Sequence, residues 1–241
     1  MTQLKFDNVN LAFQAHNHIL KQISFAINPS DFLIIVGSNG SGKSSLLKLI
    51  DRTYQQTSGK ILLESKLLSE IPHKKINRQI RMLSQTLNQV IIYEMTLFEN
   101  FKLWQSYQGA TILSRSEFED YLKKFHPKLS QKLDVALYKL SGGERQIFAL
   151  SLILLDPPKL LLLDEHTSAL DPKRAKMIMQ LTNEKILEHD LTAVMVTHNL
   201  QDALTYGNKL IVLHQGEIKQ FFDEKQKKHL DLEKFLTLYQ E

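Results

Sequence analysis

The chain has no cysteine and no long apolar run among its 241 residues. Without cysteine there can be no disulfide, no zinc site built on thiolates and no thiol catalysis, a pattern typical of a reducing compartment. No apolar run approaches the roughly 18–20 residues that cross a bilayer, and the first segment, MTQLKFDNVN, lacks the apolar part of a signal peptide. We therefore expect any membrane role to come through a partner protein.

Glycine, proline and excess charge are also scarce. Nine Gly and six Pro leave little room for a long disordered region. The net charge of +4, from 30 basic and 26 acidic residues, is too small to indicate a nucleic-acid partner, and none is predicted. The charged segment DEKQKKH, residues 223–229, is expected to be a solvated turn rather than a lipid-binding site.

Strand-like and helix-like segments alternate along the chain. Short alternating segments between Gln3 and Ile27 predict antiparallel strands. Apolar residues at helical spacing predict a helical insertion between about Thr86 and Leu140. The remaining strands and helices alternate, which predicts a mainly parallel sheet covered on both faces. The predicted strands are DFLIIVG, KILLES, QIRMLSQ, KLLLLD and LTAVMVT, the predicted helices LLKLIDRTY, ERQIFALSLILL and Pro172 to about Glu188, and a hairpin turning at Gln215–Gly216 precedes the last helix, DLEKFLTLYQ.

The segment GSNGSGKS, Gly37 to Ser44, matches G-x-x-x-x-G-K-[ST] between a buried strand and a helix. Its glycines let the backbone curl so that successive N–H groups point at phosphate oxygens, and the helix N-terminus adds its positive end. Lys43 would reach the β- and γ-phosphates, and the Ser44 hydroxyl would ligate Mg²⁺. A Gly/Ser-rich turn with one lysine is the alternative, but the flanking elements favour a nucleoside triphosphate site.

Four leucines run directly into two acids, Asp164 and Glu165. These acids lie at the carboxyl end of a strand, where α/β proteins bind their ligands. An aspartate there can hold the Mg²⁺ shell, and Glu165, one residue on, can polarise an attacking water. Helix capping is the structural alternative for such a pair.

The segment LSGGERQ, Leu140 to Gln146, places a serine and two glycines at the start of a long helix. This would give a second cradle of backbone N–H groups with a second helix dipole. One nucleotide in the first loop does not need both cradles. Taken by itself, however, the same pattern can be a helix N-cap with a flexible entry.

The motifs follow one another along the chain in a defined order. This order is GSNGSGKS, Gln85 in MLSQ, LSGGERQ, LLLLDE, SALD and His198 in MVTHN. In this order they resemble the ATP-binding cassette family of transport ATPases over nearly the whole chain. The resemblance implies an α/β P-loop NTPase (RecA-like) fold, with a mainly parallel sheet, an antiparallel β subdomain and an inserted helical subdomain. It implies one domain over 1–241, with the core and antiparallel part at about 1–85 and 156–241. The helical subdomain, with the signature motif, would occupy about 86–155.

The resemblance also implies roles for site residues. Glu165 would be the catalytic base, His198 the switch histidine at the γ-phosphate, and Gln85 a glutamine that meets both the metal and the water. Asp164 would hold Mg²⁺ together with Ser44 and Gln85. Residues 168–171 would be a loop that crosses a dimer interface.

The implied nucleotide site draws on two subunits. One subunit would contribute its phosphate loop and an adenine-stacking aromatic, Phe13, whereas Phe6 and Phe32 are candidates for simple core positions. The other subunit would contribute its signature residues in trans, at the γ-phosphate. The implied residues are Gly37, Ser38, Asn39, Gly40, Ser41, Gly42, Lys43, Ser44, Ser45 and Phe13 from the first subunit, and Ser141, Gly142 and Gly143 from the second.

Three positions depart from the family's usual residues. Ser45 stands where threonine is frequent, and it is expected to leave the chemistry unchanged. His166 stands where the family usually has proline, and a packing or backbone role is favoured over catalysis. Glu144 stands where glutamine is frequent, and it is expected to leave the chemistry unchanged. With DEHTSALDPK, VTHNLQDALTYGNKLI and LHQGEI, the chain resembles a branch paired with lipoprotein-type binding proteins and proposed to import aromatic amino acids such as tryptophan or tyrosine.

The function implied is that of the ATP-hydrolysing subunit of a bacterial importer of amino acids or related solutes, with ATP and Mg²⁺ as cofactors. It would form a head-to-tail homodimer on a transmembrane permease, and through the permease meet a substrate-binding protein. Its location would be peripheral, on the cytoplasmic face of the inner or plasma membrane. A soluble assembly ATPase and an inactive regulatory cassette are the alternatives, and the intact Glu165 and His198 disfavour the second.

Overall fold

The computed structural model describes residues 2–14, 17–108 and 112–240. The strands are β1 Leu4–Gln14, β2 Asn17–Ile27, β3 Phe32–Val36, β4 Ser58–Leu63, β5 Lys66–Leu67, β6 Ile80–Ser84, β7 Leu160–Asp164, β8 Thr192–Val196, β9 Lys209–His214 and β10 Glu217–Phe222. The helices are α1 Lys43–Ile50, α2 His73–Gln79, α3 Leu97–Gln108, α4 Arg115–Lys123, α5 Pro127–Ser130, α6 Gly142–Ile153, α7 Pro172–Glu188, α8 Leu200–Thr205, α9 Glu224–Lys228 and α10 Leu232–Gln240.

The chain forms two compact units. The first contains Met1–Met82, Lys159–Glu165 and Asp190–Glu241, and the second contains Leu83–Pro158 and His166–His189. The domain boundaries implied by the resemblance, at about residues 85 and 156, remain a prediction. Within the part of the chain that the structure describes, no helix is both long and apolar enough to span a bilayer.

A mainly parallel sheet, as predicted, has the strand order β10-β9-β3-β8-β7-β6. Strand β3 pairs in parallel with β8 and β9, β7 pairs in parallel with β8, and the edge strand β10 is antiparallel to β9. Every residue of β3 and of β8 is buried. A continuous apolar run is the composition expected of a parallel strand with both faces covered.

A second, antiparallel sheet has the order β2-β1-β4-β5, which confirms the antiparallel strands predicted before the phosphate loop. Leu4 of β1 lies opposite Ile27 of β2 and Leu63 of β4. Phe6 stacks on Phe25 with ring centroids 4.7 Å apart. Phe6 and Phe32 are both buried, so both are core residues, as the packing alternative predicted.

Helix α1 is shorter than the sequence predicted. Its apolar residues Leu46, Leu47 and Ile50 are buried, but the helix ends at Ile50 instead of continuing to Tyr54. The carboxylate of Asp51 accepts a hydrogen bond from the backbone N–H of Thr53, at 2.8 Å. An aspartate that bonds the backbone two residues on stabilises a turn and competes with the helix.

The second unit is helical, as predicted for this part of the chain. Phe101 of α3 stacks on Phe118 of α4 with ring centroids 3.7 Å apart, and Phe118 meets Phe148 of α6 edge-on at 6.5 Å. The Tyr121 hydroxyl donates to the carbonyl of Ser151 at 2.7 Å. The aromatic cluster therefore joins three helices, with a satisfied polar group at its edge.

The C-terminal charged segment is not the solvated turn that the sequence predicted. Residues Glu224–Lys228 form α9, which Asp223 caps by accepting from the N–H of Gln226 at 2.9 Å. The Lys227 side chain is buried and donates to the carbonyls of Tyr206, and of Gly207 at 2.7 Å. Burial lowers its pKa to about 8. A lysine in an apparently solvated run is thus used to bind the end of α8.

Candidate nucleotide-binding site

The phosphate loop, Gly37 to Gly42, connects β3 to α1 in the first unit. Gly40 and Gly42 have φ values of 79° and 103°, which an L side chain rarely adopts. A Cβ added at Gly42 would also lie 2.7 Å from Leu20 Cδ2. Together these observations require glycine at position 42, the N-cap residue that directly precedes α1.

A cavity of about 380 Å³ opens over this loop. Its wall is made by the turning backbone at the N-terminus of α1, a geometry that fits a phosphate group. The cavity is lined by Ile19, Asn39, Gly40, Gly42, Lys43, Ser44, Ser45 and Glu165. Ile19 was not predicted, because only the fold brings β2 to the loop. The Ser41 side chain is buried beneath the loop.

Lys43 is the first residue of α1, and its ammonium lies across the loop. Nζ donates to the carbonyl oxygens of Gly37 at 2.8 Å and of Ser38 at 3.0 Å. Burial lowers the pKa of Lys43, while the nearby carboxylates of Glu165 and Asp164 act to raise it. Among the described residues that line the cavity, Lys43 is the only one with a positive charge, and the loop itself holds its side chain in place.

Ser44 and Asp164 form the next part of the site. The Ser44 hydroxyl donates to Asp164 Oδ1 at 3.3 Å, so two oxygen ligands converge from α1 and from the end of β7. Burial raises the pKa of Asp164, and the Ser44 hydrogen bond opposes this shift. A hydroxyl and a carboxylate at this separation fit Mg²⁺, which takes few protein ligands and completes its octahedron with water and phosphate.

Glu165 and His198 lie at the carboxyl ends of the adjacent strands β7 and β8. Glu165 has φ 45°, in the left-handed region, and its N–H donates to the carbonyl of Val196 at 3.1 Å. His198 Nδ1 is 3.4 Å from Glu165 Oε2. The unusual backbone at Glu165 directs its side chain differently from that of Asp164, so the two acids can take separate roles.

Phe13 does not line the cavity, among the residues that the structure describes there. It is 55% exposed in β1 and meets Tyr54 edge-on, with ring centroids 5.0 Å apart. An exposed aromatic ring is available for stacking, but no contact with the loop assigns this role. Adenine stacking by Phe13 therefore stays a prediction.

The other predicted site residues belong to the second unit. Gln85 is exposed and follows β6 directly. Ser141 is the N-cap of α6: its Oγ accepts from the N–H of Glu144 at 3.3 Å, while Glu144 Oε2 accepts from the N–H of Ser141 at 2.9 Å. Gly142 and Gly143 form the first turn, and an added Cβ at Gly142 would lie 3.2 Å from Leu170 Cδ2. The N-cap interpretation is thus correct. The cap uses the N–H of Glu144, whereas the N–H groups of Gly142 and Gly143 have no acceptor within the helix and could meet an anion.

His166 is a packing residue. Its side chain is only 3% exposed, and Nε2 lies 3.3 Å from the Thr182 hydroxyl of α7. Burial lowers the pKa of His166 to about 4, so the ring is neutral at physiological pH. The loop that follows ends at Asp171, which caps α7 by accepting from the N–H of Arg174 at 3.1 Å.

Comparison with known proteins finds one matching family model and several similar proteins. The family model described as "ABC transporter" matches residues 20–168. The tyrosine transport ATP-binding protein of Clostridioides difficile (strain R20291) is 35% identical over 230 residues, 93% of this chain and 92% of that protein. The methionine import ATP-binding protein MetN 1 of Enterococcus faecalis is 32% identical over 222 residues, 90% of this chain but only 61% of that protein.

Among solved structures, the ATP-binding cassette MJ0796, a dimer bound to ADP and phosphate after hydrolysis, superimposes with a TM-score of 0.76. It is 25% identical in sequence, and the match covers 92% of this chain and 99% of that chain. The match therefore extends over almost the whole length of both chains.

Proposed function

The chain belongs to the ABC transporter family and is an ATP-binding ATPase subunit of a transporter, and on this premise we propose that it energises amino-acid import in bacteria as a head-to-tail homodimer. The grouping of Lys43, Ser44, Asp164, Glu165 and His198 at one sheet edge carries the catalytic part of this proposal. The tyrosine and methionine relatives support an amino-acid solute, as does the branch that the sequence resembles.

The phosphate loop binds the triphosphate. Its backbone N–H groups and the Lys43 ammonium contact the β- and γ-phosphate oxygens, since both lie at the cavity wall. Ser44 and Asp164 would hold Mg²⁺, which would neutralise charge that develops on the phosphates. Gln85 is assigned to the same metal and to the attacking water, and Phe13 to the adenine ring.

Glu165 is the general base for hydrolysis. The attacking water forms a bond to the γ-phosphorus while the bond to the bridging oxygen of ADP breaks, and its proton passes to the Glu165 carboxylate. His198, within 3.4 Å of that carboxylate, orients it and contacts the γ-phosphate. Direct displacement by water gives ADP and phosphate without a covalent enzyme intermediate.

The second half of each site comes from the other copy. Ser141, Gly142 and Gly143 begin α6 with a capped and ordered first turn, whose N–H groups would contact the γ-phosphate of ATP bound to the partner copy. The dimeric arrangement of MJ0796 supports this assembly. A single copy would then hydrolyse ATP slowly, because half of the phosphate contacts would be missing.

The dimer acts on a transmembrane permease. The relatives named for tyrosine transport and methionine import support this partner. The assembly lies on the cytoplasmic face of the membrane, and the permease would also bind a substrate-binding protein. Purification from detergent extract should recover a polytopic membrane protein with this chain, whereas recovery of soluble partners alone would contradict the transport assignment and favour a soluble assembly ATPase.

The Glu165→Gln variant tests the catalytic assignment. It should bind ATP with parental affinity, lose at least roughly 100-fold in turnover because the base is removed, and accumulate as an ATP-bound dimer. Phosphate release and size-exclusion chromatography with ATP measure the two effects. Glu217→Gln, at an exposed position of β10 in the same unit, is the matched control, and near-parental turnover in Glu165→Gln would contradict the assignment.

A further inference from the structure

Glu144 serves two partners at the start of α6. Its Oε2 accepts from the N–H of Ser141 at 2.9 Å, which completes the helix cap. Its Oε1 forms an ion pair with Lys132 Nζ. The Glu144 side chain is 18% exposed and that of Lys132 is 38% exposed, so solvent screens this pair only in part.

The Glu144 carboxylate is charged at any working pH. Burial acts to raise its pKa, but hydrogen bonds from Lys132 and Ser141 outweigh burial and hold the pKa at about 2. A full negative charge therefore lies in the first turn of the helix proposed to meet a γ-phosphate. Without compensation, two charges of the same sign would repel there and weaken ATP binding across the dimer.

Lys132 is the cation placed to compensate this charge. Neighbouring Arg145 is directed elsewhere, since it donates to the carbonyl of Leu140 at 3.1 Å and lies over the Tyr93 ring at 5.4 Å. Lys132 reaches Glu144 from a turn in which the N–H of Val135 donates to the Lys132 carbonyl at 2.9 Å. The lysine backbone is thus held independently of its contact with Glu144.

We propose that Lys132 is a positioning residue for the ATP held between two copies, because it neutralises the Glu144 carboxylate that orients Ser141. This inference rests on the proposed function, in which Ser141 to Gly143 contact the partner's γ-phosphate. The carboxylate supplies a strong cap, and the lysine removes the electrostatic cost of that cap. The expectation that Glu144 leaves the chemistry unchanged then holds only while Lys132 is present.

A double-mutant cycle tests this inference. Lys132→Met keeps most of the side-chain volume but removes the charge, and it should raise KM for ATP about tenfold, an effect that shrinks at high salt. Glu144→Gln should remain near the parent, because an amide can still accept from Ser141. In the double variant KM should return to the Glu144→Gln value, since no uncompensated charge remains. Lys128→Met, an exposed lysine of the same region, is the control.

Several outcomes would overturn the inference. A double variant as impaired as Lys132→Met would mean that the lysine acts through packing, and unchanged KM in Lys132→Met would mean that it has no role. ATP-driven dimerisation of the Glu165→Gln variant is then compared with that of the Glu165→Gln/Lys132→Met double variant. This comparison distinguishes failure of the proposed function from failure of the inference about Lys132. If Glu165→Gln with Lys132 intact fails to dimerise, the proposed head-to-tail function fails and the inference with it. If both dimerise equally, only the inference is overturned.

Discussion

Replacing His166 with glutamine should make the protein less sensitive to acid. The His166 ring is buried against the Thr182 hydroxyl, and burial lowers its pKa from 6.5 to about 4. In the unfolded chain the ring recovers its ordinary pKa of about 6.5. Glutamine retains a group that can bond to Thr182 and has no proton to gain.

The sign of the effect follows from proton binding. Above pH 6.5 the ring is neutral in both states, and the pKa shift does not change the free energy of unfolding. Below that pH the unfolded state binds a proton that the folded state resists, so stability falls until the folded pKa of about 4 is passed. The full shift corresponds to roughly 3 kcal/mol, of which about 2 kcal/mol is lost by pH 5.

Urea denaturation at about pH 7.5 and about pH 5 measures this difference. Parent and the control His214→Gln, at an exposed histidine ending β9, should each lose about 2 kcal/mol more on acidification than His166→Gln does. The comparison cancels the other titrating groups, because they are shared. If His166→Gln loses as much stability as the parent, burial of His166 does not control its protonation and the reasoning is refuted.

Two further variants test the loop and the helical core. Gly42→Ala should weaken ATP binding at least about tenfold in calorimetry with the circular dichroism unchanged, because alanine is strained at φ 103° and its Cβ meets Leu20. Gly40→Ala has open space around the added Cβ and should lose less affinity. Equal losses of affinity in the two variants would contradict the steric argument. Phe101→Ala should lower the free energy of unfolding by roughly 3–5 kcal/mol, since the ring is buried and stacked on Phe118; a loss below about 1 kcal/mol in urea denaturation would contradict close packing there.

The sequence correctly predicted those elements whose formation depends on the residues of a single segment. The alternating segments before the phosphate loop form antiparallel strands, and the apolar runs at β3 and β8 form parallel central strands. The Gly-rich loop lies between the strand and helix predicted for it. These elements depend on periodicity, turn chemistry and burial of consecutive apolar residues, all of which can be recognised without long-range contacts.

Competing local interactions caused the errors in element boundaries. Asp51 ends α1 early by bonding its own backbone, although apolar spacing extends to Tyr54. The charged segment containing Lys227 forms a helix because Asp223 and Gln226 cap its N-terminus. The burial of Lys227 could not be predicted from the sequence, because the carbonyls that accept from its ammonium belong to Tyr206 and Gly207, about 20 residues away.

By itself, the sequence predicted which residue types would meet phosphate and metal, because the backbone freedom of glycine and the side-chain chemistry of lysine, serine and aspartate suit those ligands. Only the tertiary structure decided that Ile19 lines the cavity, that His198 reaches Glu165, and that Lys132 forms an ion pair with Glu144. These facts depend on distances between segments remote in the chain, and such distances are set by the packing of the whole fold rather than by any local pattern.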